Sequence, residues 1–311
     1  MSLQYLRTCN LTIGDDAGDI LDLSEFHIRF TTTSGTTSTL KYAEVRVWNL
    51  AEDTANLVQT EFTKITLRAG YGGNNAIIFK GQIGRIEKGR EDSVNAYLDL
   101  YCQDGDKGKV WSVTNATLAN GHTDDQVYEQ LMKDFGRYDL HPGYKPSLGQ
   151  EKSIGGYSMF GTTADYMQRL ADKNDCDWFI EDGTVNLVPR KSFLPSTSTP
   201  SISSQTGLIG TAAQTFDGIN LKCLLNPSIR TGCPFKLDTG SINTLVQKQP
   251  LLGEEKLVVP DIDKHEIYKA LCVAHEGDTR GQEWYTTLIG VSVDGTVPNQ
   301  GPAFNSVPSG S

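Results

Sequence analysis

Apolar and polar positions alternate with a period of two near both ends of the chain, and a period close to 3.6 replaces it in the middle. "FHIRFTTT", from Phe26, and "AEVRVWNL", where Val45 and Val47 alternate with Glu44, Arg46 and Trp48, predict strands with one apolar and one polar face. "KITLRAG", "AIIFKGQIGRIE" and "NAYLDLYCQDG" predict three more strands, and "DTANLVQTEF" predicts one short helix. Between the first two of these strands, "GYGGNN" predicts a hairpin shaped by Tyr71 and the glycines Gly70, Gly72 and Gly73, with the glycines supplying positive φ.

From about residue 111 the pattern changes. "TDDQVYEQLMKDFG" opens with a capping box, Thr123 followed by Gln126, and places Val127, Leu131 and Phe135 on one helical face, with Gly136 as its stop. "TTADYMQRLADKN" predicts a second helix with Ala164, Met167, Leu170 and Ala171 on one side, and "CDWFIEDGTVNLVPR" a hairpin turning at "EDGT". Alternation resumes at "GINLKCLLNP", "PFKLDTG", "EIYKALCVAH" and "EWYTTLIGVSVD". The expected fold is mainly β with a small α+β insert. A first β module covers 1–110, the insert 111–191, a Ser/Thr/Pro-rich linker 192–206, a second β module 207–294 and a flexible C-terminal arm 295–311.

The two β modules read as copies of one unit. "IFKGQIGRIEKGREDSVNAYLDLYCQDG", from Ile78, aligns with "IYKALCVAHEGDTRGQEWYTTLIGVSVDG", from Ile267; both open Ile-aromatic-Lys, cross a polar turn and close on Asp-Gly. Upstream, "KITLRAG" matches "PFKLDTG" and "VRVWNL" matches "LKCLLNP", in the same order. "HEGDTRGQEWY", rich enough in His, Glu, Asp and Arg to suggest an active site, thereby becomes a hairpin tip. Arg90 and Arg280 fall at equivalent tips and, with Asp278, are candidate contacts between subunits. Trp48 and Trp284 are candidate module-core or module-interface residues.

The rest of the sequence narrows the chemistry. A net charge of −10 without a basic run argues against tight nucleic-acid binding by phosphate neutralisation. No apolar stretch is long enough for a membrane helix, and the six scattered cysteines include no CxxC pair. His265-Glu266 and His275-Glu276 lack the HExxH spacing, "RAGYGGNN" lacks the Lys-Ser/Thr of a phosphate loop, and no GxSxG occurs. Asp177 beside Trp178 and Glu283 beside Trp284 have no identifiable catalytic partner. No catalytic residue, metal or cofactor is therefore expected.

"VWNLAEDT", "LRAGYGGNNAIIFKGQI", "QTFDGINLKCLLNPSIRTGCPFKLD" and "HEGDTRGQEWYTTL" together resemble the baseplate hub proteins of long-tailed bacteriophages, contractile ones especially, over about residues 20–293. The resemblance implies two tail-tube-like antiparallel β-barrel or sandwich modules per chain. It also implies a homotrimeric, pseudo-sixfold ring that joins a hexameric tail tube, or a tube-initiator protein, to a trimeric central spike, as in the hub part of type VI secretion spike proteins. The implied partners are other copies of the chain, the tube, the spike, other baseplate proteins and DNA that passes during ejection without tight binding. The implied location is the virion tail baseplate, after synthesis in the bacterial host cytoplasm. A tail-associated cell-wall hydrolase or glycan-binding tail protein is the alternative.

Overall fold

In the computed structural model, residues 6–292 are described except for 16–17, 37–39, 197, 216, 239, 241 and 244–265. The C-terminal arm and His265 lie outside the described residues. The fold is mostly β, and one sheet of 14 strands runs through both modules. The first module contributes β1 (Arg7–Gly14), β2 (Ile20–Asp22), β3 (Ile28–Gly35), β4 (Tyr42–Trp48), α1 (Glu52–Thr60), β5 (Lys64–Tyr71), β6 (Asn74–Arg90) and β7 (Ala96–Gln103). The insert contributes α2 (Asp106–Trp111), β8 (Val113–Leu118), α3 (Asp124–Phe135), β9 (His141–Pro142), β10 (Tyr157–Thr162), α4 (Thr163–Lys173), β11 (Cys176–Glu181) and β12 (Thr184–Pro189). After it come β13 (Ser201–Ile202), β14 (Leu208–Thr215), β15 (Gly218–Leu224), β16 (Pro234–Leu237), β17 (Ile242–Asn243), β18 (Ile267–Asp278) and β19 (Trp284–Ser292).

The strand order is β17-β14-β15-β19-β18-β3-β4-β7-β6-β5-β1-β2, with β16 also on β18 and β13 on β16. Among the described residues the sheet does not close into a barrel; it folds into sandwich-like layers around apolar cores. β3-β4-β7-β6-β5 in the first module has the same order as β14-β15-β19-β18-β16 in the second. The registers agree in detail. Gln82 faces Lys64 as Lys269 faces Pro234, and the long strand of each hairpin carries a bulge at the matching place, between Ile83 and Arg85 and between Ala270 and Cys272. The alignment of Ile78 with Ile267 is thus two residues out of register: Lys80, which faces Thr66, corresponds to Ile267, which faces Lys236. A slip of two leaves every side chain on the same face of a strand, so the hydrophobic pattern does not reveal it.

Each unit has its own core. Ile28, Phe30, Val45, Leu67, Phe79 and Leu100 are buried in the first, and Ile219, Leu221, Phe235, Tyr268 and Leu288 in the second. In the insert, the Thr123/Gln126 capping box forms, and Val127, Leu131 and Phe135 pack on Met167, Leu170 and Ala171 of α4 and on the β11–β12 hairpin. Gly136 continues into a 3-10 turn, and the left-handed residue that stops the chain is Asp139, φ 62°. The Ser/Thr/Pro stretch also contributes a core residue: Ile202 of β13 is buried in the second module.

The first hairpin turn differs from expectation. Neither Gly72 nor Gly73 has positive φ. The glycine that matters is Gly70, where an added Cβ would come within 1.9 Å of the Asn74 carbonyl oxygen. Tyr71, its neighbour, is buried in the first core.

Candidate functional site

The feature with functional content is the place where the two modules meet. The second half of β18 leaves its own module's β16 and pairs antiparallel with β3, from Cys272 opposite Gly35 to Asp278 opposite Arg29. This joint makes one sheet of two modules. The tip beyond β18 is bound to the first module. Arg7 donates from Nη1 to the Gly281 carbonyl at 2.8 Å and from Nη2 to that of Gln282 at 3.0 Å, and Arg29 pairs with Glu283 at 3.1 Å.

Asp278 is used inside the chain. Its Oδ1 accepts from the amides of Arg280 and Gly281 at 2.8 and 2.7 Å and lies 2.8 Å from His27 Nε2. Burial opposes its ionisation, but these amides and the imidazole prevail and hold its carboxyl below the usual range. Arg280 is exposed in the turn and Arg90 is exposed as the last residue of β6, opposite Ala96. The two are not equivalent: Gly277, opposite Trp284, is the match of Arg90, and Arg280 lies three residues further on.

The two tryptophans differ in kind. Trp284 starts β19 in the second module but is fully buried in the core of the first, edge-on to Phe30 at 5.5 Å, with Nε1 donating to the Gly70 carbonyl at 3.2 Å. Trp48 stacks on His27 at 4.0 Å and donates to Glu91 at 2.8 Å.

The polar face of the sheet repeats a motif in both modules. The Arg46 guanidinium lies 4.0 Å from the centre of the Tyr97 ring, and the Lys222 ammonium 4.4 Å from that of Tyr285. These positions correspond, since Val45 faces Leu100 as Leu221 faces Leu288. Arg46 makes two bonds to Asp99, at 2.6 and 2.8 Å, while Lys222 is 3.9 Å from Glu276. Arg85 lies over Tyr101 at 4.0 Å and 3.3 Å from Glu87. Arg46, Arg85 and Lys222 on this face each lie over a tyrosine ring and near a carboxylate.

A second meeting place, which the sequence did not disclose, joins all three units. The β11–β12 turn of the insert presents Glu181 and Asp182 to Lys41, which precedes β4. Lys41 Nζ is 2.9 Å from Asp182 and 3.4 Å from Glu181, with its side chain 4% exposed. Arg230, from the second module, bonds the other Asp182 oxygen at 3.2 Å and the Ile77 carbonyl of the first at 3.0 Å. Asp104, just after β7, accepts from the Gly183 amide at 3.1 and 3.2 Å. Burial lowers and the carboxylates raise the Lys41 pKa, and the net direction is up. "EDGT" was legible only as a turn, with Asp182 at φ 53° and Gly183 at φ 78°. Nothing in the chain around Lys41 or Asp104 marked them as its partners.

Burial pushes the Asp104 carboxyl from 3.8 up to about 7, against the pull of Lys41. The folded chain therefore keeps a proton that the unfolded chain releases near pH 4. This group's contribution to stability is complete below about pH 4 and is lost as pH rises through about 7. Asp104→Asn retains an acceptor for Gly183 and should fall less in stability than the parent between pH 4 and 7. Urea midpoints at a series of pH values measure this, and parallel curves would refute it.

No cluster of three potential metal ligands occurs among the described residues. His275 is buried, with Nδ1 2.9 Å from the Thr286 hydroxyl; burial, then Lys41 and Arg230, lower its pKa to about 3. Burial pushes the thiols of Cys102, Cys223 and Cys272 up to about 12, so they pack as small apolar groups. No helix of the described residues is long and apolar enough to cross a membrane.

The sequence family described as "Baseplate hub gp41" matches residues 37–249. No curated protein sequence matches the chain. The fold is similar to that of the 43 kDa tail protein of prophage MuSo2 from Shewanella oneidensis, with TM-score 0.57 and 10% identity over 92% of this chain and 98% of that one. It is equally similar to a tail protein from Neisseria meningitidis MC58, with TM-score 0.57 and 10% identity over 92% and 97%. A chain of a PdpA–VgrG complex from Francisella shares the fold with TM-score 0.51 and 10% identity over 95% of this chain and 54% of that one.

Proposed function

The chain belongs to the baseplate hub gp41 family, and from that premise we propose that it is a structural hub whose copies form a closed homotrimeric ring in the phage tail. The observation that carries the reading is the β18–β3 joint. Two modules of the same strand order already stand side by side in one sheet, so three chains supply six similar modules around a ring. Such a ring presents near-sixfold symmetry to a tail tube or tube-initiator protein and true threefold symmetry to a central spike. The insert faces other baseplate proteins. The location is the tail baseplate of the virion, assembled from chains made in the host cytoplasm.

The polar sheet face lines the lumen in this reading. Arg46, Arg85 and Lys222 on it lie against tyrosine rings and carboxylates, and the chain carries a net charge of −10. DNA then passes without phosphate contacts that would retain it during ejection. The role is mechanical and needs no catalytic residue, metal or cofactor.

The test is the mass of the purified full chain in solution, alone and with its spike protein. A trimer, formed alone or on the spike, is expected. A monomer under both conditions that clears a peptidoglycan suspension, and loses this activity when one carboxylate is replaced, would favour the cell-wall hydrolase reading.

A further inference from the structure

β6 serves two layers of the first module. It pairs with β5 from Asn74 to Gln82 and with β7 from Gln82 to Arg90, and the inner faces of both layers enclose one core. The outward face of β1, β5 and the first half of β6 therefore points away from the face that carries Arg46, Tyr97 and Asp99. Its charges are of one sign. Lys64, Arg68 and Lys80 stand on it, and β1, β5 and β6 as far as Gly84 contain no Asp or Glu, in a chain of net charge −10. Arg68 and Lys80 are exposed, and neither side chain has an ionic, hydrogen-bonding or ring partner among the described residues. Lys80 faces Thr66, two residues from Arg68, so the two cations are diagonal neighbours. On the opposite layer, Arg46 and Arg85 each have a carboxylate and a tyrosine ring.

In the second module the matching face is covered, and the cover bears acids. Lys269 stands where Gln82 stands, and Tyr268 beside it enters the core, so Lys269 points outward. It is nevertheless fully buried, because the insert lies on it. Its ammonium is 3.2 Å from the Pro189 carbonyl and 3.6 Å from Asp177, which Arg190 also holds at 3.1 Å. The chain thus seats one acid-bearing unit on the outward layer of its second module, and leaves Arg68 and Lys80 exposed on the same layer of its first.

We infer that this outward face of β1, β5 and β6 is a docking surface for an acidic segment of another baseplate protein, which sets a pair of carboxylates against Arg68 and Lys80. Arg68 offers a planar fork that two carboxylate oxygens can meet, and Lys80 a compact charge beside it. Asn10, opposite Arg68, and Thr66, opposite Lys80, supply uncharged hydrogen-bonding groups between them. The direction of the face rests on the ring reading above. With the Arg46 face lining the lumen, the Arg68 face turns outward, towards surrounding protein and away from the DNA.

The test uses assembled tails that contain the full chain. Lys80 should react with an acylating reagent in the isolated chain and lose most of that reactivity in tails, including tails emptied of DNA. A zero-length carbodiimide should join the Lys80 amine to an Asp or Glu of a different protein, read by mass spectrometry of the cross-linked peptides. The double reversal Arg68→Glu with Lys80→Glu should leave the mass and the urea midpoint of the purified chain unchanged and deplete it from tails. Equal reactivity of Lys80 in chain and tails, protection that vanishes when DNA is released, a link to a carboxylate of a second copy, or undiminished incorporation of the double reversal each overturns the docking surface and leaves the ring standing. Wild-type chain that is monomeric alone and with the spike overturns the ring. A Lys80 link to another protein would then keep the surface and lose only its direction.

Discussion

Lys41→Met is expected to lower folding stability by about 3–5 kcal/mol, because it removes the buried cation from a cluster of carboxylates that cannot leave with it. Lys41 is buried against Glu181 and Asp182, and Asp104 adjoins the same turn through the Gly183 amide. Arg230 remains, but it reaches only the far oxygen of Asp182. The residual acids must then either stay ionised without their partner or take up protons. The deficit should accordingly shrink at low pH, where protonated carboxyls no longer need the ammonium. Chemical denaturation at pH 5 and pH 8 measures both effects, and a loss under 1 kcal/mol at pH 8 would mean that water reaches the cluster. The turn bearing Glu181 and Asp182 belongs to the insert, while Lys41 and Arg230 belong to the two β modules. A single transition in the parent and separate transitions in the variant would identify this cluster as the coupling between units.

Sequence pattern disclosed the strands that have one wet and one dry face, because a period of two is visible wherever the two faces differ. It disclosed the repeat for the same reason, and mis-set its register by two residues because that slip preserves the faces. β14 escaped notice. Its run of Gly210, Thr211, Ala212 and Ala213 has neither alternation nor bulk. The buried charges escaped for a different reason. Lys41, Asp104, Glu181 and Arg230 are far apart in the chain and each is ordinary where it stands. Only the fold brings them together, so no spacing rule marks them. "HEGDTRGQEWY" is a turn whose aspartate caps its own backbone and whose carbonyls are held by Arg7. Its chemistry serves the joint between modules.

Trp284→Ala should be the most damaging single truncation at that joint, costing about 3–5 kcal/mol, the range for removing a large buried aromatic side chain. The indole is fully buried, and it belongs to the second module by sequence and to the first by packing. Its removal opens a cavity beside Phe30, leaves the Gly70 carbonyl without its donor and takes the ring from beneath Arg7, which holds the hairpin tip. Trp48→Ala should cost less. That ring packs largely on His27 at the rim of the same sheet, and its loss opens a site that water can fill. Denaturant midpoints followed by far-ultraviolet circular dichroism compare the two without depending on tryptophan emission. Equal losses would mean that the joint is not packed more tightly than the rim. At the matching place of the first hairpin stands Ala96, so the repeat is broken where the second hairpin enters the core of the first module.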